Sequence, residues 1–219
     1  MNLKPDPNGP APYRIGIRDG GVMARPERDL LPILELPRHP GRSDLVADDG
    51  GVLYLVVSGA PAPEGIPALV VACQAAGWRV VVFCTPTCTR FIDAAELEQL
   101  TGEPVRSEYR MPGTGSPVPA ADAVLACPLT FNSVNKFVHG HADNFAVGLL
   151  CEMAGYGVPV VVVPHCKPQL ASHPAFAASL ATLRGMGVRV LFDPDAPYEC
   201  RLPPWSEVVD ALPVRAGTS

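Results

Sequence analysis

Residues 52–83 read VLYLVV-SGAPAPEG-IPALVVACQAAGW-RVVVF. Val52–Val57 is an unbroken apolar run rich in β-formers, the pattern of a strand covered on both faces. Ser58–Gly65 is a Gly/Pro loop. Ile66–Trp78 then reads as a helix, with Pro67 in its first turn and Gly77 near its end. Arg79–Phe83 returns to a buried-strand pattern. Strand, crossover helix and second buried strand make a βαβ unit, which is right-handed and sets its strands parallel.

The alternation continues downstream. Asp93–Leu100 is helical by composition, Ala123–Ala126 is a third strand, and Phe131–Ala154 is helical in pattern with a break near Gly140. Val158–Val163 (VPVVVV) is a fourth strand, Pro174–Arg184 a helix and Val188–Phe192 a fifth strand. The expected fold is α/β, an open parallel sheet in a three-layer α/β/α sandwich. The body spans residues 51–192. A Pro-rich N-terminal arm (1–50) precedes it, and Asp29–Leu36 gives that arm enough apolar content to dock. A C-terminal tail (193–219) follows, with one short helical piece at Ser206–Leu212.

Composition narrows the function. Of 219 residues, 47% are hydrophobic and 18% charged, so the chain can fold. The net charge is −5 and no Lys/Arg-rich block occurs, which argues against a nucleic-acid partner. The longest apolar runs are far shorter than the roughly 20 residues of a membrane span. The N-terminus lacks the apolar core of a secretory signal, so a cytoplasmic setting is the default expectation. Seven cysteines fit reducing conditions; no C-x-x-C pair or His/Cys cluster occurs, and no metal site is expected. Most of the seven read as small buried hydrophobes.

In such sheets ligands bind beyond the C-terminal strand ends, at the point where strand order reverses. After the first strand, Ser58, Gly59 and Ala60 offer a hydroxyl and free backbone N–H groups to an anion; an ordinary βα turn reads the same way. After the second, Thr85, Thr87, Thr89 and Arg90 stand where a dinucleotide fold would place an acid, so a mononucleotide is favoured over NAD. A capped helix start explains the same threonines. No G-K-[ST] occurs, which excludes a P-loop. After the third strand, Pro128-Leu129-Thr130-Phe131-Asn132-Ser133 leads into Lys136, His139, His141, Asp143 and Asn144. Asn132 and Asn144 can each donate to and accept from a heterocycle or carboxylate. Capping by Thr130 and Asn132 is the plainer alternative. His165 and Lys167 follow the fourth strand.

Together these segments resemble the homo-oligomeric flavin-containing cysteine decarboxylases. The resemblance covers about residues 53–192. It is carried by Val57-Ser58-Gly59 with Pro67, by Thr85 through Phe91-Ile92, by Gly102-Glu103-Pro104-Val105, and by Ala121-Asp122 leading through Pro128–Ser133 to Lys136, Gly140 and Ala142-Asp143-Asn144. It implies a flavodoxin-like fold and FMN at a subunit interface of a homotrimer or of a dodecamer of trimers. It also implies oxidation of a thiol or cysteine substrate, a small molecule or peptide, followed by loss of its carboxylate. On this pattern Asn132 holds the substrate carboxylate. Ser58, Gly59, Ala60, Thr85, Thr87, Thr89, Phe91, Pro128, Thr130 and Asn144 are the cofactor-binding candidates. Lys167 and His165 join Asn132 as catalytic candidates.

Two features depart from the family. Its catalytic His aligns with Thr114, and no His lies between His39 and His139. A threonine cannot act as the base near neutral pH. Its substrate clamp, P-x-M-N-x-x-M, becomes Pro164-His165-Cys166-Lys167-Pro168-Gln169-Leu170. The expectation is an FMN enzyme of altered substrate, with His139, His141 or His165 supplying the base. The alternatives are a non-catalytic FMN-binding regulatory or partner subunit, and an α/β protein that binds no flavin.

Overall fold

The computed structural model describes residues 50–60, 62, 65–109, 118–198 and 202–214. The Pro-rich arm expected over residues 1–50 lies outside them except for Gly50, and so do Thr114 and Cys200. Five strands form one sheet: β1 (Val52–Val57), β2 (Arg79–Cys84), β3 (Ala123–Leu129), β4 (Val160–Pro164) and β5 (Arg189–Val190). Their order is β2-β1-β3-β4-β5 and every pairing is parallel. This is the flavodoxin-like order, which reverses direction between β1 and β3.

Among the described residues, seven α-helices connect and cover the strands: α1 (Gly65–Ala75), α2 (Ala94–Thr101), α3 (Phe131–His139), α4 (Phe145–Gly155), α5 (Pro168–Ala171), α6 (Pro174–Gly185) and α7 (Trp205–Asp210). Strand alternation divides the core in two. Leu53, Leu55, Val57, Val80, Val82 and Leu125 pack with Leu69 and Val70 of α1, Leu97 of α2 and Trp205 and Val208 of α7. Tyr54, Val56, Phe83, Val124, Ala126 and Val162 pack with Val134 of α3, Leu150 of α4 and Phe176 of α6. The sheet is therefore buried on both faces, as its unbroken apolar strands require.

Local chemistry sets the helix ends. Asp93 caps α2 through the Glu96 N–H, and Gly102 closes that helix in the left-handed conformation, at φ 69°. Gly140, at φ 67°, ends α3 and produces the break between α3 and α4.

Four strands differ in their bounds from the sequence-based expectation. β2 runs one residue further, to Cys84. β3 runs on through the cis Cys127–Pro128 bond to Leu129, with a register shift between Ala126 and Leu129. Pro128 has no ladder donor, but its carbonyl accepts from the Ser58 N–H at 3.1 Å, so pairing resumes beyond it. β4 starts at Val160, because the Val158 N–H turns back to the Met153 carbonyl. β5 is only two residues long at the sheet edge, although the Leu191 N–H still reaches the Val162 carbonyl. A 3-10 turn at Cys88–Arg90 and the four-residue α5 have no counterpart in the sequence reading.

Candidate functional site

A cavity of about 710 Å³ opens at the C-terminal strand ends, over the β1/β3 reversal. The volume lies within the roughly 300–1,000 Å³ of small-molecule sites. Its walls bring together Gly59 and Ala60 after β1, Thr85 and Thr87 after β2, Thr130 and Asn132 after β3, Asn144 before α4, and His165 and Lys167 after β4.

Four of the residues singled out from sequence stand apart from those walls. Ser58 is 1% exposed, and its hydroxyl donates to the Pro128 carbonyl (2.9 Å) while accepting the Thr130 N–H (2.7 Å). Its proton is thereby committed to fastening β1 to the end of β3. Pro128 is buried beneath the same staple. Thr89 is exposed and donates to the Pro86 carbonyl within its own turn. Phe91, 72% exposed, lines a neighbouring cavity of about 510 Å³ between α1 and α2.

Two wall residues also serve as caps. The Thr130 hydroxyl accepts the Ser133 N–H (3.3 Å) and donates to the Ser133 Oγ (3.0 Å). Asn144 accepts the Val147 N–H through Oδ1 (3.1 Å) and donates from Nδ2 to Asp143 (2.9 Å). Asn132 sits in the first turn of α3, exposed at the cavity wall, and its amide has no hydrogen-bond partner among the described residues. Asn135, one turn on, does structural work: it donates to the Phe131 carbonyl and accepts from Ser179 (2.7 Å), tying α3 to α6.

Of the three histidines offered as a base, only His165 lines the cavity. It is 4% exposed and its ring stacks on Tyr198, centroids 4.9 Å apart and planes at 23°. His139, the last residue of α3, and His141, just beyond it, are exposed, with ring centroids 6.1 Å from each other. Lys136, a turn beyond Asn132, forms an ion pair with Asp143. That ammonium, with help from the Asn144 amide, holds the Asp143 carboxyl below the usual carboxylate range.

Leu170, the last residue of the clamp segment, lines this wall, whereas the sequence reading missed Tyr198 and the Lys136–Asp143 pair as parts of it. The pair stood inside the quoted motif and could have been found there. Tyr198 lies beyond the last strand and carries no local signal.

Gly59 sits in close packing against the next loop. A Cβ there would stand 3.1 Å from Thr87 Cγ2, so the loops after β1 and β2 already touch. Small residues and hydroxyls line this side, and Asp143, the one wall carboxylate among the described residues, is held by Lys136. That donor set fits an anionic, heterocyclic ligand such as FMN.

A family model described as Flavoprotein matches residues 45–217. The chain belongs to this family. The kinship expected from the Ala121–Asn144 motif thus holds, and the flavodoxin-like sheet agrees with it. Among curated relatives, the flavoprotein is 32% identical over 125 residues to the coenzyme A biosynthesis bifunctional protein CoaBC of Mycobacterium tuberculosis. The match covers 53% of this chain and 28% of that protein. Several solved structures share the fold, two of them as follows. The FMN binding protein AtHal3 has a TM-score of 0.62 at 19% identity, covering 74% of this chain and 94% of that one. The peptidyl-cysteine decarboxylase EpiD has a TM-score of 0.60 at 18% identity, covering 74% and 97%. Among the described residues no helix is long and apolar enough to cross a membrane.

Proposed function

We propose that this flavoprotein binds FMN in the cavity over the β1/β3 reversal and acts in oxidative decarboxylation of a thiol- or cysteine-containing small molecule or peptide. The observation that carries the reading is the convergence of Gly59, Ala60, Thr85 and Thr87 on one side of that cavity with Asn132, His165 and Lys167 on the other. Bound FMN would supply the two-electron oxidation of the thiol. Gly59, Ala60, Thr85 and Thr87 would hold its phosphate by backbone N–H and hydroxyl donors. Thr130 and Asn144 would border the ring system.

The chain's own residues set the remaining steps. Asn132 offers its amide to the substrate carboxylate and orients it. His165 accepts the proton released as the thiol is oxidised, replacing the base that Thr114 cannot provide. The buried ring, held against Tyr198, is fixed in orientation for that task. The active form is a trimer-based homo-oligomer with the flavin at the subunit interface.

A second reading is a flavin-binding partner subunit without catalysis. The absence of any histidine between His39 and His139 favours it. One sequence of measurements separates the two. Absorbance of the purified protein, with the released chromophore weighed by mass spectrometry, is expected to identify FMN. Incubation with peptides ending in cysteine is then expected to release CO2. Flavin without CO2 from any thiol selects the partner subunit, and a protein that neither holds nor takes up FMN overturns both.

A further inference from the structure

Among the described residues, one wall cation has no counter-ion. Lys136 is neutralised by Asp143, whereas Lys167 has no carboxylate partner among the described residues. Its position is fixed by the fold. It sits between the end of β4 and Pro168, the first residue of α5, with extended backbone at φ −58° and ψ 149°. Leu170 and Tyr198 line the same cavity.

The departing carboxylate is a poor partner for this ammonium. An ion pair with that group would stabilise the ground state and vanish as neutral CO2 leaves, which raises the barrier instead of lowering it. A neutral amide such as Asn132 suits that group better. The flavin phosphate is also a poor partner. Its cradle lies at the ends of β1 and β2, while Lys167 follows β4, two strands beyond β1. At about 4.8 Å per strand this is roughly 10 Å across the sheet.

We propose that Lys167 pairs with a second carboxylate of the substrate, one that survives the reaction, so the substrate is a thiol bearing two carboxylates. The proposal rests on the decarboxylase reading above and adds substrate charge to it.

The test uses the flavin-loaded full-length protein and its Lys167→Gln and Lys167→Arg variants, checked by circular dichroism. Each is titrated with the dipeptides Glu-Cys and Gln-Cys, following the absorbance of the bound flavin. The wild type is expected to bind Glu-Cys roughly three- to ten-fold more tightly than Gln-Cys, as a partly exposed charge pair allows. Lys167→Gln is expected to abolish the preference and Lys167→Arg to keep part of it. FMN affinity should stay within about two-fold throughout. Equal binding of the two dipeptides by the wild type, or a preference that persists in Lys167→Gln, overturns the proposal and leaves the decarboxylase reading standing. Loss of FMN affinity but not riboflavin affinity in Lys167→Gln also overturns it, by assigning the lysine to the flavin phosphate. If neither dipeptide perturbs the flavin of the wild type, the thiol-substrate reading falls and takes this proposal with it.

Discussion

The Ser58 hydroxyl accepts the backbone N–H of Thr130 at 2.7 Å, joining residues 72 positions apart in the chain. The same hydroxyl donates to the Pro128 carbonyl. The two βα loops on either side of the strand reversal are thereby locked in register, directly beneath the cavity floor. Ser58→Ala strands the Thr130 N–H and should cost about 1–3 kcal/mol. Urea denaturation should show a lower midpoint at unchanged slope. A large loss of FMN affinity with no loss of stability would instead make Ser58 a direct ligand of the cofactor.

Gly59 and Thr87 pack closely at one side of the cavity. Gly59→Ala should be tolerated, since Thr87 needs to give by only a few tenths of an ångström. Gly59→Val should overpack the contact, costing about 1–3 kcal/mol and spreading the two loops. Fluorescence titration with FMN is expected to show near-normal affinity for the alanine variant and markedly weaker binding for the valine variant.

Among the described residues, His165 is the one histidine placed to exchange protons with a ligand in the cavity. His165→Gln should lower turnover of a thiol substrate by about 10²-fold or more, the scale of general base catalysis, while retaining FMN. The double variant His139→Gln/His141→Gln should turn over normally, because both rings lie outside the cavity wall. Single-turnover flavin reduction, followed by absorbance, distinguishes these outcomes.

Tyr54 links stability to alkaline pH. Its hydroxyl donates to the Pro119 carbonyl at 2.6 Å, and burial pushes its pKa up to about 12, against a lowering by Arg106. The folded state thus holds this proton more tightly than the unfolded state. The resulting stability is complete below pH 10 and is lost as the pH rises through 12, by up to about 3 kcal/mol before allowing for solvent screening. Spectrophotometric titration should show one of the five tyrosines ionising last, and Tyr54→Phe should remove that late step.

Much of the fold was legible because the sheet is buried on both faces. A strand such as Val52–Val57 must then be apolar throughout, and that signal is local. The break at Gly140 was legible for a similar reason, since only a left-handed residue ends the helix there. The extension of β3 past Pro128 was not. Proline ordinarily closes a strand, and the compensating bonds come from Ser58, 70 residues away. The candidate site divides along the same line. Residues just after a strand, such as Gly59, Thr85, Asn132 and Lys167, follow from topology alone. Ser58 and Thr89 carry the same side-chain chemistry, but their hydroxyls are engaged by nearby carbonyls. Tyr198 reaches the cavity only through the path of the chain after β5, which no local pattern encodes.

The contact between Tyr198 and His165 bears on where a working fragment can end. The sheet is complete at Val190, yet part of the cavity wall comes from a residue eight positions later. Trp205, Val208 and Leu212 close the opposite face of the core, and Arg189 donates to the Ala211 carbonyl at 3.0 Å. A truncation drawn at the last strand would therefore remove part of the wall behind the candidate base along with part of the hydrophobic packing. Any fusion or domain transplant built on this chain should place its junction beyond Leu212.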